Sequence, residues 1–205
     1  MGFFDHLTEK PWLEGEGQGV GADGGGIFSL PTPQIGLRVF LGVVTVLFTL
    51  FIVAYTDRMA VGDWRPMPEP WLLWANTGLL IGSSVAMHRA WVGADRGRID
   101  GVRAGLYGAG VFAFAFLAGQ LLAWRQLVEL GYFAAANPAN AFFYLFTAVH
   151  AVHLLGGLVA WGRTTAKVWR GLAPGQVHLS VELCAVYWHF LLVVWLVLFG
   201  LLLLS

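Results

Sequence analysis

The chain has 205 residues, of which 58% are hydrophobic and only 12% charged, and its basic and acidic side chains cancel to zero net charge. A soluble globular domain carries about 25% charged residues, so composition excludes an ordinary water-soluble domain. The absence of a basic surplus argues against nucleic acid as a partner. The single cysteine, Cys184, excludes an intramolecular disulfide and a thiolate cluster.

In chain order, residues 1–33 come first and are a different material from the rest. Gly15, Gly17, Gly19, Gly21 and Gly24 to Gly26 leave little side chain to bury. This segment is expected to be a flexible N-terminal region, or one held by a partner. It lacks the apolar core of a cleavable signal peptide. Residues 34–205 are expected to form one all-α membrane domain. Five apolar stretches run over 34–55, 71–91, 105–124, 140–161 and 181–204. Each has about the 20 residues a helix needs to cross ~30 Å of hydrocarbon. The predicted fold is therefore an integral membrane bundle of five transmembrane helices.

Basic residues set the expected orientation. Lys10, Arg38, Arg89, Arg96, Arg98, Arg103, Arg163, Lys167 and Arg170 fall on the side of the N-terminus, and only Arg58, Arg65 and Arg125 on the other. The positive-inside rule places the N-terminus in the cytoplasm and the C-terminus outside.

The first helix follows Pro31-Thr32-Pro33, where a missing backbone donor is harmless. Its middle is apolar and holds nothing ionisable. The second follows a linker whose Trp64, Trp71 and Trp74 suit an interfacial belt. It carries Asn76 with Ser83, and Thr77 with Ser84. Each pair is seven residues apart and so shares a helix face. These groups read as contacts between helices, with a polar passage for water or protons as the alternative. The third helix has a smooth stripe at Gly108, Ala115 and Gly119 among Phe112, Phe114 and Phe116, and one deep amide, Gln120. That amide needs a partner, because hydrocarbon supplies none.

The fourth helix brings His150 and His153 within one turn, followed by Gly156 and Gly157. Such a pair could ligate haem or a metal, relay protons, or hydrogen-bond between helices. The further ligands available to it would be His189, His88 and Glu182. Glu182 is the one carboxylate expected within a crossing. It sits near the start of the fifth helix, where the helix dipole favours it, and His189 is two turns deeper on the same face. Trp188 and Trp195 repeat at the same seven-residue interval, and residues 196–204 are a smooth lipid-like tail. The chain has no Walker loop, no Ser/His/Asp order and no Cys-x-x-Cys. No internal repeat suggests a transporter. Composition and spacing lead to an integral membrane subunit of something larger.

Several segments then resemble subunit III of the haem-copper cytochrome c oxidases. These are Trp74-Ala75-Asn76-Thr77 with Gly82-Ser83-Ser84, and Phe116-Leu117-Ala118-Gly119-Gln120. To them are added the aromatic run from Phe142 into His150-Ala151-Val152-His153 and Gly156-Gly157, and Glu182 followed by Tyr187-Trp188-His189-Phe190. The resemblance covers about residues 36–200, in order, and is to a short five-helix form lacking the first two of seven helices. The chain departs from the family where Val44, Ala123 and Leu192 stand at positions that often carry acids.

The resemblance implies a subunit with no haem or copper of its own, those centres belonging to subunits I and II. It implies packing against the catalytic subunit, bound phospholipid, support of proton uptake, location in the bacterial plasma membrane, and a place in a respiratory supercomplex as one option. The alternatives are an accessory subunit of a nitric oxide reductase system and a membrane redox subunit with its own haem or metal. His150, His153, Glu182 and His189 are expected to meet where the fourth and fifth helices face each other. There they would form one polar network, with Asn76 and Gln120 as further members. Arg38, Arg89 and Arg103 are expected at lipid head groups.

Overall fold

The computed structural model describes residues 32–62, 64 and 71–204. The expectation for the glycine-rich N-terminal segment, and the basic residues Lys10 and Arg65, lie outside them. The described residues are helical, with five long helices: α1 Thr32–Met59, α2 Leu72–Asp95, α3 Ile99–Glu129, α4 Pro138–Trp169 and α5 Pro174–Leu203. At 1.5 Å per residue they are about 36 to 48 Å long, more than the hydrocarbon core requires.

The helix ends follow local chemistry. Asn137 caps α4, its side-chain oxygen accepting from the Ala139 amide at 3.2 Å, and Pro138 takes the first helical position. The chain leaves α2, α3 and α4 through Gly97, Gly131 and Gly171, all with positive φ, which only glycine adopts without strain.

Among the described residues four helices are long and apolar enough to cross a membrane, namely α1, α3, α4 and α5. The fifth, α2, has the length but is diluted by Asn76, Thr77, Ser83, Ser84, His88 and Arg89. Lipid-like surface covers the outside as well as the core. Val43, Leu50, Phe114, Leu121, Val152 and Val193 are all exposed, as expected where the surroundings are hydrocarbon and not water.

The closest pairing is α2 with α3, joined by the short turn at Gly97. Gly105 lies so near α2 that an added Cβ would stand 2.7 Å from the Ala90 Cα. Two helix backbones approach this closely only where one side lacks a side chain. The buried face of α3 runs through Val102, Gly105, Ala109, Ala113, Phe116, Gly119, Gln120 and Ala123. The expected stripe is thus corrected. Gly119 belongs to this face, whereas Gly108 and Ala115 lie at its half-buried edge; Phe112 and Phe114 are partly exposed, the first beside Gly82 of α2 and the second 6.1 Å from the ring of Trp161. A Cβ on Gly108 would still stand 3.3 Å from the Ala86 side chain of α2, so this position borders the α2–α3 contact.

Helix α5 lies against both α2 and α4, and buries Trp188, Leu191 and Trp195 in the middle of the bundle. Helix α1 is peripheral. Its buried residues are Val44, Phe48 and Tyr55, which face α4 through ring contacts of Phe48 with His153 and Tyr55 with Phe146. Trp71 and Trp74 are exposed at the start of α2, while Trp64 is held edge-on against Tyr55 at 5.0 Å.

Candidate functional site

The polar residues of α2 are aimed at α5. Trp195 Nε1 donates to Thr77 Oγ1 at 3.0 Å, and Trp188 Nε1 donates to Ser83 Oγ at 2.8 Å. Ser84 Oγ and His189 Nδ1 share a hydrogen bond of 2.6 Å. Two of these hydroxyls also donate onward to backbone, Thr77 to Leu73 O and Ser83 to Ala109 O, both at 2.8 Å. Each hydroxyl therefore uses a lone pair and its proton, the full arrangement a buried hydroxyl needs where no water competes. The seven-residue repeats on both helices signalled these faces. The indoles as donors escaped sequence reasoning, because periodicity identifies a face but not the side chain opposite it.

Further indoles do the same elsewhere. Trp161 donates to Leu106 O at 2.9 Å and Trp124 to Thr147 Oγ1 at 3.0 Å, tying α4 to α3. Asn76 Nδ2 donates to Gln120 Oε1 at 3.4 Å, a long bond between two fully buried amides.

The six residues expected to share one polar network occupy several separate places. Asn76 and Gln120 meet. His150 is 0% exposed, its ring 5.2 Å from that of Trp195 and 5.9 Å from that of Phe116, and neither ring nitrogen has a hydrogen-bond partner. His153 turns instead toward α1. Its Nδ1 donates to Val149 O on its own helix, its carbonyl accepts from Tyr187 at 2.8 Å, and its ring lies 5.4 Å from Phe48. Three residues along a helix is a rotation of about 300°, enough to send the two rings to different neighbours.

Glu182 accepts from Gln34 at 3.5 Å, and His178 stands 3.9 Å from it and 3.8 Å from Asp95. His189 lies with His88, ring centroids 5.6 Å apart, and both line a crevice of about 260 Å³ with Glu182 and Trp91. Glu182, His178 and Asp95 sit where α2 ends and α5 begins, and His189 stands about two turns farther along α5, against His88 and Ser84 of α2. Among the described residues no three of His, Cys, Asp and Glu converge in an arrangement that could hold a metal ion.

Of the three arginines expected at lipid, Arg89 lines a concavity. This is a groove of about 860 Å³ between α2 and α3, lined also by Arg98, Asp100, Gly101, Gly105 and Phe112. Arg103 and Arg38 are exposed outside it.

The family model for cytochrome c oxidase subunit III matches residues 34–204. The chain is 30% identical over 176 residues to cytochrome c oxidase subunit 3 of Thermostichus vulcanus, a match covering 82% of this chain and 85% of that one. Against cytochrome c oxidase subunit 3 of Synechocystis sp. it is 32% identical over 175 residues, covering 81% and 72%. Against the probable cytochrome c oxidase subunit 3 of Mycobacterium tuberculosis it is 30% identical over 182 residues, covering 84% and 89%. With helices able to cross a membrane and a match that runs through all five, this is a multi-pass membrane protein, and it belongs to the cytochrome c oxidase subunit III family.

Proposed function

We propose that the chain is the subunit III of a haem-copper oxidase in a bacterial plasma membrane, joined to the catalytic subunit I and to subunit II. The observation that carries this reading is the family match over residues 34–204. On this reading the haem and copper centres belong to the partner subunits, and this chain contributes support and not redox ligands. All five helices cross, with the N-terminus in the cytoplasm. Helix α2 crosses because its polar face is paired inside the bundle and not offered to lipid.

Phospholipid binding and support of proton uptake are part of the same proposal. The α2–α3 groove supports the first, since an arginine beside an apolar trough suits an anionic head group and its acyl chain. Arg38 and Arg103 are proposed as head-group contacts of the same kind. The crevice lined by Glu182, His88 and His189 supports the second.

Purification of the native complex through a tag on this chain tests the assignment. The expected partners are a multi-helix haem protein and a copper-binding subunit that together reduce oxygen. Removing the chain should leave the haem spectrum of the partner intact while activity fades over repeated turnovers. Immediate loss of that spectrum would mean that this chain supplies a ligand. A partner that reduces nitric oxide and not oxygen would replace the oxidase reading.

A further inference from the structure

The interior of the bundle contains few polar atoms, and most of them are paired as described above. The exceptions include Asn76 Oδ1, Gln120 Nε2 and both ring nitrogens of His150, all fully buried and without a hydrogen-bond partner. These side chains belong to one layer. Asn76 is bonded to Gln120. Its neighbour Thr77 holds the indole of Trp195, whose ring contacts both His150, at 5.2 Å, and Phe116, at 5.0 Å. Phe116 precedes Gln120 by one turn of α3 and meets the His150 ring edge-on. The bond from Trp124 to Thr147 sets the register of α3 against α4, and Gln120, one turn before Trp124, and His150, three residues after Thr147, fall at the same level of these antiparallel helices.

The Asn76 oxygen has a separate explanation, because it is pressed against Gly119, where a Cβ would collide with it. That leaves the Gln120 amide, which has a spare N–H, and the His150 ring, which when neutral has one donor and one acceptor. Neither can reach bulk water from inside the membrane, so each carries its full desolvation penalty unless something completes it. Groups of this kind in protein interiors are completed by internal water making about three hydrogen bonds. A water molecule can accept from one neighbour and donate to another, as this mixed pair requires.

We propose that an internal water molecule binds between Gln120 and His150, accepting from Gln120 Nε2 and hydrogen-bonding one ring nitrogen of His150. It links α3 to α4 in the middle of the bundle, where the protein offers no direct polar bond between those two side chains. The site is defined by the bundle alone and stands or falls separately from the oxidase assignment.

Two measurements on the intact native complex test it. A density map resolving ordered waters elsewhere in the transmembrane region should show one within about 3 Å of a His150 ring nitrogen. The variants His150→Phe, which keeps the ring contacts, and Gln120→Leu should each lower the thermal midpoint. Combined, they should lower it by less than the sum, because both remove the same water. Such a map without density beside His150 would overturn the proposal, as would strictly additive shifts. If the variants fail to assemble, the map of the unaltered complex decides alone.

Discussion

A Cβ on Gly119 would run into the carboxamide of Asn76, whereas one on Gly156 would meet nothing within 4 Å. Gly119→Ala should therefore destabilise the assembled protein by about 1–3 kcal/mol, the usual cost of overpacking a filled interior. Gly156→Ala should change stability by no more than about 1 kcal/mol, and in the favourable direction, since alanine is the better helix former. Thermal unfolding of the two variants in one detergent checks the contrast. Glu182 behaves differently from both. Its contacts with Gln34 and His178 are long and it is one-third exposed, so Glu182→Gln should cost less than about 1 kcal/mol and the complex should assemble normally. Loss of assembly would show that the carboxylate carries more than these contacts. The residue types that matter were legible in the sequence, since Asn76, Gln120, His150, His153, Glu182 and His189 stand out against an apolar chain. Their partners were not. The spacing of His150 and His153 suggested a shared neighbour, but the rotation between them directs one ring to α5 and α3 and the other to α1.

At the level of the helix, α1 docks on α4 through aromatic side chains, with Phe48 set against His153 and Tyr55 against Phe146, and it also lies against α5. Phe48→Ala should weaken its docking by on the order of 3 kcal/mol, the cost of truncating a buried phenylalanine. The pairing of α2 with α3 and α5 should remain. Spin labels at Val43 on α1 and at the exposed Leu121 on α3 report this, with the first gaining mobility and the second unchanged. All five helices were legible as apolar runs, with their order and approximate centres. Their full lengths were not, as α3 runs from Ile99 to Glu129 where the apolar stretch covers 105–124. Hydropathy registers the part of a helix in lipid. The polar ends, such as the turn holding Arg125 and Glu129 in a 2.9 Å ion pair, continue the same backbone hydrogen bonding beyond it.

For the molecule as a whole, the charge distribution predicts a topology that labelling can test. Ala134 lies exposed between α3 and α4, and Ala173 is exposed just before α5. In intact cells, a membrane-impermeant maleimide should label Ala134→Cys. It should reach Ala173→Cys only after permeabilisation. The native Cys184 is buried and should stay silent in both. The reverse pattern would invert the orientation. The bonds between α2 and α5 also set a schedule. The indoles that satisfy Ser83 and Thr77 lie 105 and 118 residues downstream of them. At about 5–20 residues per second of synthesis, their partners emerge roughly 5 to 25 seconds after α2 does. During that interval α2, the least apolar of the five helices, has α3 beside it, whose Ala109 carbonyl takes the Ser83 hydroxyl. A ribosome stalled before α5 should then display α2 as a half-finished membrane segment, sheltered by its hairpin partner or by the insertion machinery, until the last helix of the chain arrives to close the bundle.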